Sequence, residues 1–296
     1  MSIAINIVQG AFGRVALLDM DKPLVVHAHH HCHILIKASG SDAYFDVRGD
    51  LQPLTRDSAV LINAWEPHAY AHRASTGPRT IILALYIECP WLERLHRQLA
   101  VAQHPRFFPA PCVRLPLSVR ARADALAAAL LAGDELPAEA LENDLAELVI
   151  PLLDPYSEWR NASRLYRHHV PNPLDARVAR AIDYLRVHVG DAACVDDLAS
   201  RACLSRAHFF ALFRRSTNLT PGLYMNVLRM EAAIGGLSAD ETAIAALSQR
   251  LGFSAQSHFT RFFRQHLGIT PTDYRRKTRV LAHAAAHAQA AAPAQG

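Results

Sequence analysis

The sequence predicts an α+β protein of two domains: an N-terminal β-barrel with appended helices, then an all-α C-terminal domain holding two helix-turn-helix units. Three observations carry this. Short apolar or alternating runs broken by turn residues fill the stretch from Ile3 to Ile87, as closely spaced strands would. Two similarly punctuated helix-turn-helix patterns follow one another in the last third of the chain. Basic charge is concentrated there: residues 173–279 hold 15 Lys and Arg against 9 Asp and Glu, while residues 1–172 hold 16 against 18. A domain of net +6 beside one of net −2 suits neutralisation of phosphates by the second. With 296 residues and 51% hydrophobic content, both domains can build cores.

The expected strands are Val15–Leu18, Leu24–Val26, His33–Lys37, Ala43–Val47, Ala59–Asn63 and Thr80–Ile87. Such short, evenly spaced strands favour a small barrel or jelly roll over an α/β sheet. Pro90-Trp91-Leu92 begins a helix, and a loop rich in proline (Pro105, Pro109, Pro111, Pro116) follows. Two amphipathic helices come next, Ser118–Leu131 and Ala138–Leu153. Leu141, Leu145, Leu148 and Leu152 form one stripe of the second, and packing onto the barrel is the plain use of that stripe. Pro151 and Pro155 are expected to end it. The resulting division is a barrel over 1–115, a helical segment over 116–160, a linker over 161–173 containing His168–Pro173, and a DNA-binding domain over 174–279. A disordered Ala-rich tail over 280–296 completes it.

In the second helix-turn-helix unit, Ile244, Leu247 and Leu251 mark a short helix that stops at Gly252, a residue suited to a left-handed turn. Ser254 is placed to cap the next helix, whose Phe259, Phe262, Phe263 and Leu267 form a buried stripe. Its other face carries Gln256, Ser257, His258 and Arg261, groups that read base edges, together with Arg264. Gly268 ends that helix, and Thr270-Pro271 opens a last one. The first unit repeats the scheme. Val195–Ala199 begins a helix, Cys203-Leu204 turns, and Ser205 caps a helix with Phe209, Leu212 and Phe213 inward. Arg206, Ala207, Phe210, Arg214 and Arg215 face DNA. Thr220-Pro221 and Tyr224 echo Thr270-Pro271 and Tyr274, and a helix from Tyr224 to Leu237 joins the units. A plain helical bundle would explain the phenylalanines as core but not the duplicated punctuation.

Over residues 173–279 this pattern resembles the C-terminal domain of the AraC-type transcription regulators, above all in the block GFS…SHFTRFFR…GITPTDYR. The resemblance implies seven helices, with two recognition helices entering successive major-groove segments. Three positions depart from it. Asn218 stands where Gly is usual and tolerates positive φ. Ala207, Phe210 and Ala211 offer thymine-methyl contacts but no hydrogen bonds. Gly235-Gly236 sits late in the joining helix and is expected to loosen the spacing of the readers.

In the first half, His27-x-His29-x3-His33-x6-Gly40 is similar to the first cupin motif with His33 in the Glu position, and His68 falls where the second motif places its His. His27 and His29 alternate into the barrel, so His27, His29, His33, Trp65 and His68 are the expected effector pocket. The alternative occupant of His27, His29, His33 and His68 is a divalent metal, and hydrogen bonds within the barrel can also satisfy the imidazoles. His30 and His31 are read as exposed neighbours. The family comparison adds a homodimer interface through the two amphipathic helices and recruitment of RNA polymerase. The expected partners are therefore double-stranded DNA, a small-molecule effector, RNA polymerase and a second copy. A cupin enzyme carrying a DNA module would call for the missing Glu, so the chain is read as no enzyme. Five cysteines without CxxC spacing fit reduced thiols, and the lack of a signal peptide or long apolar run predicts a cytoplasmic protein.

Overall fold

A computed structural model describes residues 2–71, 79–162, 165, 174–191, 195–239 and 242–281. Most of the expected linker, Cys194 and the Ala-rich tail beyond residue 281 lie outside the described residues.

Ten strands form two sheets among those residues: β1 (Ile3–Gly10), β2 (Gly13–Met20), β3 (Cys32–Ser39), β4 (Ala43–Val47), β5 (Asp50–Leu54), β6 (Ser58–Ile62), β7 (His68–Ala71), β8 (Thr80–Ile87), β9 (Cys112–Arg114) and β10 (Thr278–Val280). The larger sheet has the order β10-β1-β2-β8-β3-β6-β9, and the smaller is β5-β4-β7. Among the described residues the expected barrel or jelly roll takes the form of two sheets, with no closed barrel. The reason lies in burial. β2, β3 and β8 are buried on both faces for most of their length because both faces of the large sheet are covered, the condition that erases alternation.

One face (Val15, Leu17, Ile34, Ile36, Leu61, Leu83, Leu85) packs against α1 (Cys89–Leu95), a 3-10 helix (Arg97–Gln103), α2 (Leu117–Ala132) and α3 (Ala138–Tyr156). Leu141, Leu145, Leu148 and Leu152 are all consumed in this core, so the stripe is not available as a dimer seam. Nor do Pro151 and Pro155 end α3, which runs through both to Tyr156. The expected strand Leu24–Val26 is also absent. That segment bonds across elements instead, Leu24 N–H to the Tyr70 carbonyl and Val25 N–H to the Gln265 carbonyl, and Val25 and Val26 are exposed.

The opposite face (Ala16, Leu18, Leu35, Val60, Ile62, Ile82, Ala84, Tyr86) meets Phe45, Val47, Leu54 and Tyr70 of the small sheet. It also meets Met230, Ile234, Phe259, Phe263, Leu267 and Tyr274 from the C-terminal domain, in one continuous core. That domain is seven helices among the described residues: α4 (Ala176–Val187), α5 (Val195–Arg201), α6 (Arg206–Thr217), α7 (Pro221–Ala239), α8 (Ile244–Arg250), α9 (Gln256–Leu267) and α10 (Pro271–Lys277). After α10 the chain adds β10 in parallel to β1, pairing Ile7 with Thr278.

The turns follow the sequence with one exception. Asn218 caps α6 in the left-handed conformation at φ 60°, as does Gly268 after α9 at φ 79°. Ser205 caps α6, its hydroxyl accepting from His208 N–H. Ser254 does not cap α9: the chain is extended at Ala255, and the Ser254 hydroxyl bonds His258 Nδ1 at 2.9 Å instead. Gly236 does not loosen α7, because it lets Leu247 of α8 pack close, where a Cβ would sit 2.7 Å from Leu247 Cδ1. Gly252 does more than turn. At φ 77° it lies against Gly190, whose carbonyl would be 2.1 Å from a Cβ there, so the loop after α4 is locked onto the second unit. Gly252→Ala should cost about 2 kcal/mol or more through left-handed strain and this backbone clash together. Urea unfolding checks it, and a variant as stable as the parent would refute the close approach.

Candidate nucleic-acid interface and histidine-rich domain junction

Periodicity sorts α9 into two faces. Phe259 and Phe263 are fully buried and Phe262 is half-buried, while Gln256, Ser257, His258, Arg261 and Arg264 are exposed. Gln256, Ser257 and His258 occupy the first turn of α9, with Arg261 and Arg264 following on its outer side. The hydrogen bond from Ser254 fixes the His258 imidazole on that face. On α6, Phe209, Leu212 and Phe213 are buried, and Arg206, Ala207, Phe210, Arg214 and Arg215 are exposed. Phe210 is 39% exposed, a large apolar group kept in solvent beside the exposed Ala207 and Ala211. Arg206 pairs with Asp196 of α5, but both are well exposed, so the pair is weak and a phosphate competes for the guanidinium easily.

The two echoing tyrosines do something that their repetition did not announce. Each docks its reader unit on the N-terminal domain. Tyr224, at the start of α7, stacks on Trp65 with ring centroids 4.9 Å apart and planes 4° from parallel. Trp65 is held at φ 63°, its N–H bonded to the His29 carbonyl, a left-handed conformation uncommon for a bulky residue. Tyr274 meets Phe263 edge to face and accepts hydrogen bonds from Gln9 Nε2–H at 3.0 Å and Arg14 Nη1–H at 3.4 Å. Arg14 is buried, and its guanidinium lies 3.8 Å from the Tyr86 ring centre. His33 stacks on the same tyrosine at 4.1 Å. A column His33–Tyr86–Arg14–Tyr274 therefore runs from the histidines to the C-terminal helix.

His27, His29, His33 and His68 are buried at this junction, as the cupin-like spacing implied. His27 and His68 face each other across a β-bridge with two backbone hydrogen bonds. His27 Nδ1 donates to the Val25 carbonyl and His68 Nδ1 to that of Glu66, which leaves both Nε2 lone pairs free of backbone. Among the described residues neither nitrogen of His29 has a hydrogen-bond partner. One ligand atom from each of His27, His29 and His68 lies within 4.8 Å of the others, so these three can hold a divalent cation. His33 is not part of that group; its Nδ1 bonds His68 Nε2 at 3.3 Å. Burial holds all four imidazoles neutral by pushing their pKa values down, that of His68 to about 4.

The cavity beside His27 and His29, closed by Leu223, Met230 and His266, has a volume of about 10 Å³. It holds a water at most, not an organic molecule. The space for a small molecule is elsewhere: a cleft of about 990 Å³ between the N-terminal domain and the first reader unit, with Trp65, His68, Arg48, Arg186, Arg214 and Tyr224 among its walls. Of the expected pocket residues, Trp65 and His68 line this cleft and His27, His29 and His33 do not.

His30 and His31 are not the exposed neighbours expected. Their rings lie tilted against each other, centroids 3.8 Å apart, between two carboxylates, Glu88 just past the end of β8 and Glu231 on α7, and His31 is buried. Burial pulls His30 down, but the Glu88 hydrogen bond and the charges of Glu231 and Glu88 prevail and raise it to about 9. Glu88 accepts from both histidines and is held well below the usual carboxylate range, against its burial. No sequence signal pointed to Glu231, since adjacency to α7 is a tertiary fact. Cys32 and Cys89 are free thiols 3.9 Å apart. Among the described residues, no helix is long and apolar enough to cross a membrane.

Comparison with known proteins follows the same division. Residues 198–277 match the profile of a helix-turn-helix domain. The chain is 32% identical over 113 residues to the regulatory protein PocR of Salmonella typhimurium, covering 38% of this chain and 37% of that protein. It is 32% identical over 109 residues to RclR of Escherichia coli, a transcriptional activator, covering 37% and 38%. The chain thus spans little more than a third of the length of these curated relatives. In three dimensions it is similar to ToxT of Vibrio cholerae, with a TM-score of 0.52 over 89% of this chain and 96% of that one at 10% identity. That likeness extends the shared fold across both domains.

Proposed function

From the premise that the C-terminal domain is an AraC-type helix-turn-helix domain, we propose that this protein is a sequence-specific, ligand-controlled transcription regulator and not an enzyme. The observation that carries the proposal is the sorting of α6 and α9, where every aromatic of the stripe faces the core or its edge and every predicted DNA contact faces solvent. Gln256, Ser257, His258 and Arg261 read bases. Arg206, Arg214, Arg215 and Arg264 neutralise phosphates, and Ala207 and Phe210 contact thymine methyls.

Arg261→Ala is expected to weaken operator binding by about 1–3 kcal/mol and to relax preference at one base position. Gel-shift titration against single-base operator variants measures both, and an unchanged preference would remove Arg261 from base reading. Because Ala207, Phe210 and Ala211 carry no side-chain donors, base changes under α6 should matter less than those under α9. Its Arg214 and Arg215 should contribute affinity that disappears with salt.

The effector, a small organic molecule, occupies the cleft walled by Trp65 and His68. Arg214 and Arg215 belong to both that cleft and the recognition helix, so an occupant bears directly on the first reader. It acts only through a difference in affinity between DNA-competent and incompetent arrangements. A thermal-shift screen on the full chain identifies it, and Trp65→Ala should abolish the response while leaving basal operator binding within about threefold. Homodimerisation and contact with RNA polymerase complete the proposal. The buried α3 stripe leaves the outer surface for the dimer, and sedimentation of the full chain with and without operator tests it.

A further inference from the structure

We infer a divalent-metal site at the domain junction formed by His30, His31 and Glu231, distinct from the His27, His29 and His68 group. One ligand atom from each of the three lies within 4.8 Å of the others. Glu88 sits behind both rings, 3.3 Å from His30 Nε2 and 3.1 Å from His31 Nε2, and so accepts an Nε2–H from each. A carboxylate in this position turns Nδ1 of each ring toward the ion, the outer-shell arrangement of metal-binding histidines, and His30, which Glu88 and Glu231 keep protonated without the ion, releases its Nδ1 proton as the ion binds. Both Nδ1 atoms point to Glu231 Oε1, at 3.6 Å and 4.0 Å.

Those separations are too long for hydrogen bonds. They approach the spacing of ligands on one small cation, since donors about 2.1 Å from a tetrahedral zinc lie about 3.4 Å apart. Two of the three atoms, His31 Nδ1 and Glu231 Oε1, are moreover buried without a hydrogen-bond partner among the described residues, a costly condition that a cation between them relieves. The local charge also suits it. Glu88 and Glu231 together outweigh the neighbouring Arg14 guanidinium, whose charge is spread against the Tyr86 ring. Two imidazoles and one carboxylate select zinc or a similar borderline ion and leave a fourth position for water.

The consequence is mechanical. His30 and His31 belong to the connection between β2 and β3, while Glu231 lies on α7, the helix that joins the two readers. A bound ion therefore fastens the joining helix to the N-terminal domain.

The test uses the full chain stripped with a chelator and titrated with zinc alone, and with cobalt for its tetrahedral absorption bands. Wild type should bind an equivalent of zinc that stabilises it to heat. Glu231→Gln should lose that equivalent or bind it at least about tenfold more weakly, and so should Glu88→Gln through the rings it orients. His29→Ala and His68→Ala should retain it. His31 is buried and its alanine variant can misfold, so the partly exposed His30→Ala serves as the second ligand variant. The assignment is overturned if wild type binds no zinc. It is equally overturned if Glu231→Gln and His30→Ala bind as wild type does, or if His29→Ala or His68→Ala alone removes all bound metal, which would place the ion in the other group.

Discussion

Replacing Tyr274 by alanine lowers the stability of the full chain by about 3–5 kcal/mol, the range for removing a fully buried aromatic side chain. The ring is 1% exposed in a core shared by both domains, where it packs edge to face on Phe263. Its hydroxyl accepts from Gln9 and Arg14, and Arg14 already has one guanidinium nitrogen without a partner. Deletion of the ring leaves that buried cation with the Tyr86 face alone, which adds to the cavity cost. Tyr274→Phe keeps the ring and loses the hydroxyl, so it should cost only about 1–2 kcal/mol. Urea denaturation of both variants separates packing from hydrogen bonding. A loss below 1 kcal/mol for alanine would mean that the two domains do not share a core in solution.

The second large effect is loss of stability in acid. His27, His29, His33 and His68 are buried neutral, with Arg14 as a nearby fixed positive charge acting on His27, His29 and His33. Above about pH 6.5 these imidazoles are neutral in both folded and unfolded chains, and their contribution is fully present. As pH falls below that value the unfolded chain takes up protons that the folded chain refuses, so stability declines. For His68, whose pKa falls to about 4, the decline is complete near that pH. It amounts to about 3 kcal/mol for this one group, at 1.36 kcal/mol per pH unit, and the other three add to it. Chelator-treated protein should therefore unfold between about pH 6 and 4. His29→Leu, which replaces a ring with two unsatisfied nitrogens by an apolar group, should shift that transition to lower pH. An unfolding free energy that stays flat from pH 7 to 4.5 would show the imidazoles to be solvated.

The C-terminal helices were legible because each is fixed by local chemistry: Ser205 and Thr270 as caps, Asn218, Gly252 and Gly268 in left-handed turns, and phenylalanines at helical spacing. Ala43–Val47 and Thr80–Ile87 were legible for the same reason, being short apolar runs between turn residues. The larger misreadings depend on distant partners. Leu24–Val26 is apolar enough for a strand, but its hydrogen bonds go to Tyr70 and Gln265. Closure into a barrel was inferred from strand spacing, which does not reveal that helices cover one face and the C-terminal domain the other. The histidine motif located a buried group correctly, yet it could not separate His33 from the other three. Nor did it foresee that Glu88 and Glu231 would draw His30 and His31 inward.

The pairing of β10 with β1 bears on how the protein is made. Gln9 and Tyr274, bonded to each other beside that edge, are 265 residues apart in sequence. A chain emerging from the ribosome forms β1 long before its edge partner exists, and the open edge must wait through the synthesis of every other element. Closing so long a loop is slow, so the contacts between β1 and β10 form late. Until then the part of the large sheet that the C-terminal helices cover stays open, and the edge of β1 offers unpaired backbone groups to other chains.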